Sequence, residues 1–147
     1  MVPVEALADQ RKAVEANWEH WQSHDGEVQI RPEVEESWQR SAGSVSIEVD
    51  AAPSRSGFDV DSEWNNHALN EPVTLIEPEL RQIAEDGGFV VAITDSTSTI
   101  LWTTGSNQMR DAAGKANFAP GAMWDEQSVG TNALDLSLRT QKAQTVF

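Results

Sequence analysis

The run Phe89-Val90-Val91-Ala92-Ile93-Thr94 constrains the fold more than any other stretch of the chain. It is an unbroken apolar and β-branched series that suits an extended strand buried on both faces and leaves a helix no polar side for solvent. Asp95-Ser96-Thr97-Ser98 follows, whose short polar side chains favour a turn, and then Thr99-Ile100-Leu101-Trp102-Thr103, a second extended run. Residues 89–103 therefore predict a β-hairpin at the core of the second part of the chain.

Helical signals surround it. Upstream, Asp61 or Ser62 can cap a short helix carrying Trp64 and Ala68, which Pro72 ends. A further helix is expected from about Thr74: Thr74 and Glu77 have capping-box spacing and Pro78 falls in the first turn. Leu75, Ile76, Leu80, Ile83 and Ala84 supply its buried face, and Gly87-Gly88 stops it. Downstream, Ser106 to Ala113 predicts a short helix ended by Gly114. A loop over 115–130 follows, then a helix from about Thr131 to Arg139, and Lys142 to Phe147 reads as one more strand.

The first 61 residues have a different character. Pro3 can open a helix that places Leu7, Val14, Trp18 and Trp21 on one face, with Gly26 closing it; a second begins near Pro32, aligns Val34 with Trp38, and ends at Gly43. Glu33, Glu35 and Glu36 complement the positive end of the second helix. Each apolar stripe is too narrow to stand alone, so the two helices must pack on each other, on the following domain or on a second copy of the chain. A helical cap and a dimerisation surface both meet that need. Residues 44–61 read as a linker in which Val45, Ile47 and Val49 alternate as a short strand would. The expected organisation is a helical region and linker over 1–61 and a second unit over 62–147.

Charge and composition exclude whole classes of function. The 147 residues carry 24 acidic against 10 basic side chains, a net −14, and no block of Lys or Arg. That balance argues against direct binding to DNA, RNA or anionic lipid, whose affinity comes largely from neutralised phosphates. Cysteine is absent, and with it disulfides and thiolate chemistry. No apolar run approaches the ~18–20 residues of a membrane span, so a cytoplasmic protein is expected. No Ser-His-Asp grouping or catalytic carboxylate pair stands out, so neither an enzyme nor a cofactor is expected. His20 and His24 lie four residues apart near Glu19, Asp25 and the more distant His67, a spacing that can bind zinc. Trp21 between them marks a packed stripe and no third ligand is set by spacing, so exposed histidines and no metal site are expected.

The most distinctive stretch is Gly121-Ala-Met-Trp124-Asp-Glu126-Gln-Ser-Val-Gly130-Thr131-Asn132-Ala133-Leu134. Gly130 permits a backbone turn closed to other residues, and Thr131 or Asn132 can cap the next helix while offering hydroxyl, amide and backbone donors. Together with the Val-Val-x-x-Thr-Asp hairpin, its following Ile-Leu, and Glu36-Ser37-Trp38-Gln39-Arg40-Ser41, this stretch resembles the N-terminal GAF sensor region of acetoin-catabolism-regulator-type bacterial transcriptional activators. Many of those work with the alternative sigma factor sigma-54. The resemblance spans about residues 31–147.

It implies an α/β (α+β) fold in which an antiparallel sheet is flanked by helices and faces a loop-lined pocket beside the 131–139 helix. Trp124, Glu126, Thr131 and Asn132 match the motif and are the candidate ligand-binding residues. Packing by Trp124 and simple helix capping by Thr131 and Asn132 account for the same residue types equally well. Two departures from the family pattern stand out: Ser96-Thr97-Ser98 where Gly commonly follows the hairpin Asp, and Asp135 where a small residue is common.

A full domain of this type continues past Phe147, so a truncated GAF-like unit is expected, with any DNA contact left to a domain outside the chain. The resulting expectation is a regulatory domain sensing an unknown small-molecule effector, as a homodimer, and controlling a downstream output domain. The alternative is a protein-interaction or dimerisation module without a ligand.

Overall fold

The computed structural model describes residues 4–23, 30–45 and 50–146, and within the first helix it leaves out the side chains of residues 4–8, 10, 11 and 22. Pro3, His24, Asp25, Gly26, Ile47, Val49 and Phe147, and the side chain of Leu7, lie outside that description. The described residues form seven helices and a two-stranded antiparallel sheet, a mixed α+β fold.

β1 (Val91–Thr94) and β2 (Ile100–Thr104) make the expected hairpin, pairing Val91 with Thr104, Ala92 with Thr103, Ile93 with Trp102 and Thr94 with Ile100. The register shifts after Ile93, so Leu101 is the extra residue of a bulge. Asp95 builds the turn: its Oδ1 accepts from the Thr97 amide at 2.8 Å, the Thr97 hydroxyl at 2.7 Å and the Thr99 amide at 3.0 Å. β1 is half-buried along its whole length rather than buried on both faces, because among the described residues its only strand partner is β2. The free edge of β2 is covered instead by the 121–124 loop, through Gly121 N–H to Ile100 O, Ile100 N–H to Ala122 O and Trp124 N–H to Ser98 O. Residues 52–55, within the expected linker, are zipped in turn onto 116–123 by bonds such as Met123 N–H to Pro53 O at 2.8 Å.

The N-terminal helices are α1 (Val4–Ser23) and α2 (Pro32–Ser41), the latter with Pro at its start as expected. Trp18 and Trp21 stack at 5.3 Å, and both meet the edge of Trp38 on α2, at 4.9 and 5.7 Å. Such pairs contribute about 0.5–1.5 kcal/mol each beyond the area they bury. Val34 and Trp38 join the fully buried Leu136 of the last helix in one cluster, with Val14, Ile30 and Val146 against it. Among the described residues, Val14, Trp18 and Trp21 of the first stripe and Val34 and Trp38 of the second therefore pack on each other and on Leu136 of the second part of the chain, so contacts cross residue 61.

α3 (Val60–Asn66) starts two residues earlier than expected because the Asp59 carboxylate accepts from Ser62 N–H at 3.0 Å. Trp64 on this helix stacks over Trp102 of β2 at 6.0 Å. α4 spans Asn70–Gly87, so Pro72 does not break the chain: it sits in the first turn, where its missing N–H costs nothing. Thr74 is accordingly no cap. Its hydroxyl bonds back to Asn70 O at 2.8 Å, and Pro78 lies in the helix interior. Gly87-Gly88 ends α4 as expected, with Gly88 left-handed at φ 65° and Phe89 N–H returning to Ala84 O at 3.0 Å.

The burial of α4 differs from expectation. Val73 and Ala84 are buried, but Leu75, Ile76 and Ile83 are 74%, 49% and 58% exposed. The two described strands are too narrow to cover a second row of residues on this helix. α5 (Asn107–Gly114) is capped by Ser106, α6 is the four-residue Glu126–Val129, and α7 is Ala133–Thr140. The strand expected over 142–147 is not formed by the described residues 142–146, which find no strand to pair with. Arg31 holds them instead, bonding Gln144 Oε1 at 3.1 Å and the Thr145 carbonyl.

Candidate functional site

The motif stretch 121–134 folds as two capped helix starts in succession. Asp125 caps α6, accepting from Gln127 and Ser128 amides at 3.0 and 3.1 Å. Gly130 then turns the chain at φ 79°, ψ −165°, a conformation reserved for glycine. Asn132 caps α7 by accepting from Leu134 and Asp135 amides at 3.0 and 3.1 Å, and its amide donates to the carbonyls of Trp124 and Gly130 at 2.8 and 2.9 Å. One side chain thereby fixes both ends of the 124–132 loop.

The other candidate residues are equally engaged within the protein. Trp124 donates from Nε1 to Asn117 O at 3.2 Å and meets Phe118 edge-on at 5.0 Å. The Thr131 hydroxyl is 2.7 Å from that of Ser37 on α2. Glu126 is 2% exposed, and the guanidinium of Arg40, also on α2, grips both its oxygens at 2.8 Å. The upstream run Glu36 to Ser41 and the downstream run Trp124 to Asn132, two of the three segments that carry the resemblance, are thus one interlocked unit.

Charge is concentrated here. Burial opposes ionisation of Glu126, but hydrogen bonds from Arg40 and Ser37 and the charges of Arg40 and Arg139 outweigh it, holding the carboxyl below its ordinary range. The hydrogen bonds that Arg40 donates to Glu126 raise the guanidinium above its ordinary value. Asp135, 6% exposed, takes Ser98 Oγ on one oxygen at 2.9 Å, and on the other the Glu126 amide at 3.3 Å and Arg139 Nε at 2.5 Å. Arg139 Nε also lies 3.5 Å from Glu126 Oε2. Ser98 is itself left-handed at φ 62° and fully buried. The Ser-Thr-Ser turn and Asp135, the two places where the chain differs from the activators its sequence resembles, therefore meet in a single hydrogen bond.

Next to this network is an open cleft of about 580 Å³ between the hairpin turn, the 123–127 loop and α7. Arg55, Thr97, Met123, Asp135, Leu138 and Arg139 are among the residues lining it. None of Trp124, Glu126, Thr131 and Asn132 lines this cleft; Glu126 lies behind its wall, bonded to Arg139. Sequence reasoning placed α7 beside a pocket but passed over Arg55 and Arg139, one in a stretch read as linker and the other at a helix end where a basic residue is ordinary. Among the described residues no cluster of three or more His, Asp or Glu is placed to hold a metal ion, and no helix is long and apolar enough to cross a membrane.

No family model matches the chain. The uncharacterized 47.3 kDa protein in the thcA 5′ region of Rhodococcus erythropolis is 34% identical over 124 aligned residues, which cover 80% of this chain and 28% of that protein. The chain thus spans little more than a quarter of the curated relative it matches. Among solved structures it is similar to a chain of the E. coli DhaR(N)-DhaL complex, with a TM-score of 0.61 and 23% identity, over 75% of this chain and 38% of that one. At that identity the likeness is one of fold, and the fold of this chain is that of the matched region in the complex.

Proposed function

We propose that the chain is a regulatory module of the GAF type, from a bacterial transcriptional regulator, that binds a small effector in the cleft beside α7 and passes the event to its N-terminal helices. The observation that carries this reading is the path of charged contacts from cleft to helix: an ion pair at 3.5 Å from Arg139 on the cleft wall to Glu126, and the two hydrogen bonds from Arg40 on α2 to Glu126. A ligand that repositions Arg139 alters the pairing of Glu126, and with it the seat of α2 and of the Trp18-Trp21-Trp38 cluster. The absence of any Ser-His-Asp grouping or catalytic carboxylate pair in the sequence supports a binding role over catalysis. DNA contact and the output step belong, in this reading, to other parts of a longer protein.

A screen of chemically diverse small compounds for increased melting temperature tests it, because a ligand of the native state stabilises by mass action. Stabilising compounds whose effect is lost when the cleft is filled by Leu138→Trp support sensing; a flat response across the library contradicts it.

A second reading has its own observation. Leu69, Ile76 and Ile83 recur at seven-residue spacing and are 46%, 49% and 58% exposed, with Leu75 and Phe89 close by in sequence and also exposed. An apolar row of this kind suits contact with another protein, and the neighbour in fold, DhaR(N), is itself solved in complex with DhaL. Concentration-dependent self-association abolished by Ile76→Asp would favour a homodimeric interaction module.

A further inference from the structure

We infer that the cleft beside α7 is built for a small organic monocarboxylate, whose carboxylate is received by the guanidinium groups of Arg139 and Arg55 and whose apolar part lies on Met123 and Leu138. The inference rests on the small-molecule reading above and names the class of ligand.

The cleft holds charges of both signs, and the hydrogen-bonding valence left open decides between them. Its carboxylates are already occupied. Asp125 accepts two amides on Oδ1 and the Ser128 hydroxyl on Oδ2. Asp135 takes Ser98 on one oxygen and Arg139 with the Glu126 amide on the other. Asp95, in the adjoining turn, accepts three donors on Oδ1 and faces Arg55 with Oδ2.

The cations are only partly used. Arg139 directs Nε to Asp135 and Glu126, and its two terminal nitrogens bond no protein group among the described residues, while 45% of the side chain is exposed. Arg55 places one terminal nitrogen 3.4 Å from Asp95, stacks on Phe58 at 4.6 Å, and leaves its other nitrogens unpaired among the described residues. What the site lacks is therefore an acceptor, and a planar two-oxygen anion matches a guanidinium fork.

Size and net charge narrow the class. A chain of net charge −14 repels polyanions over a Debye length, whereas one carboxylate is compensated at contact distance by a single guanidinium. Met123 and Leu138 offer apolar surface on the same walls, which a ligand that is all charge, such as phosphate, would leave bare. Ser98 and Asp135 act as positioning residues here: by holding Nε of Arg139 they leave its outer nitrogens toward open space.

The test compares benzoate and hexanoate with benzamide and hexanamide, which keep shape and lose charge. Binding is followed by calorimetry and by the side-chain Nε resonance of Arg139. Both acids are expected to bind and to shift that resonance, with each amide about tenfold weaker or more. Arg55→Gln and Arg139→Lys are each expected to weaken the acids about tenfold, with the melting temperature of Arg55→Gln close to that of the parent.

Amides that bind as well as the acids, or acids that bind Arg55→Gln and Arg139→Lys undiminished, overturn the ligand class. If neutral library compounds stabilise the protein while the acids do not, the class fails and sensing stands. If no compound of any kind binds, the sensing reading fails and this inference with it.

Discussion

The guanidinium of Arg40 holds both oxygens of the Glu126 carboxylate, Nε to Oε2 and Nη2 to Oε1 at 2.8 Å each, and so ties α2 to α6 across 86 residues of chain. Glu126 is 2% exposed and Arg40 41%, so the acid bears the larger desolvation cost and depends on its partner. Arg40→Gln leaves a buried carboxylate short of its main donor and is expected to cost about 2–3 kcal/mol, read from the urea midpoint. Glu126→Gln is expected to cost less, because an amide needs no counter-charge. A double-mutant cycle should return a coupling of about 1–2 kcal/mol; a coupling near zero would mean that the pair adds nothing to the docking of α2.

Acid should release the same bond. Because the folded-state value of Glu126 lies below its ordinary value of about 4.5, the ionised carboxylate contributes stability that is present above that ordinary value and is lost as pH falls through the folded-state value. Arg40 stays charged throughout that window. The melting temperature of the wild type is therefore expected to drop from about pH 5 downward, and that of Glu126→Gln to drop less steeply over the same range. Parallel curves for the two proteins would remove Glu126 from the acid response.

Ser98 combines backbone strain with a buried hydrogen bond. Glycine at this position relieves the left-handed φ of 62°, a gain of about 1 kcal/mol, but deprives Asp135 of its hydroxyl donor at 2.9 Å, a loss of about 1.5–3 kcal/mol for a bond to a charged group. Ser98→Gly is expected to be destabilising by about 1 kcal/mol in net terms. A stabilised variant would show that the serine is retained for neither reason.

Asn132 links the end of one turn to the start of the next helix. Asn132→Ala removes the acceptor for the Leu134 and Asp135 amides and the donor to the Trp124 carbonyl, with an expected loss of about 1–2 kcal/mol. Amide exchange should accelerate first at Leu134 and Asp135, and unchanged protection there would contradict its role as cap.

The hairpin was legible in the sequence because its two signals, an apolar β-branched run and a cluster of turn-forming side chains, are local. The helix beginning near Ser106, a cap at Thr131 or Asn132 and the stop at Gly87-Gly88 are legible for the same reason, and the structure gives the second cap to Asn132. α6 was not, since four residues are too few to display a helical period, and its cap Asp125 looks like any acidic loop residue. The start of α4 is not legible, because Pro72 signals a break in sequence while being harmless in a first turn.

The motif residues stand out in the sequence as a group, but their partners do not. Ser37 meets Thr131 and Arg40 meets Glu126 only once the chain has closed on itself, and no local pattern encodes a pairing 86 or 94 residues apart. The exposed row on α4 shows the converse: helical periodicity marks an apolar face but does not say what, if anything, covers it.

The most direct measurement is a titration of the isotope-labelled chain with the most stabilising compound of the screen, followed residue by residue in backbone amide spectra. Thr97, Gln127 and Arg139 around the cleft are expected to shift together with Ser37, Trp38 and Arg40 on α2, and the α2 shifts are expected to vanish in Arg40→Gln while the cleft shifts remain. Shifts confined to the exposed row of α4, or cleft shifts that leave α2 unmoved in the wild type, would contradict transmission from cleft to helix.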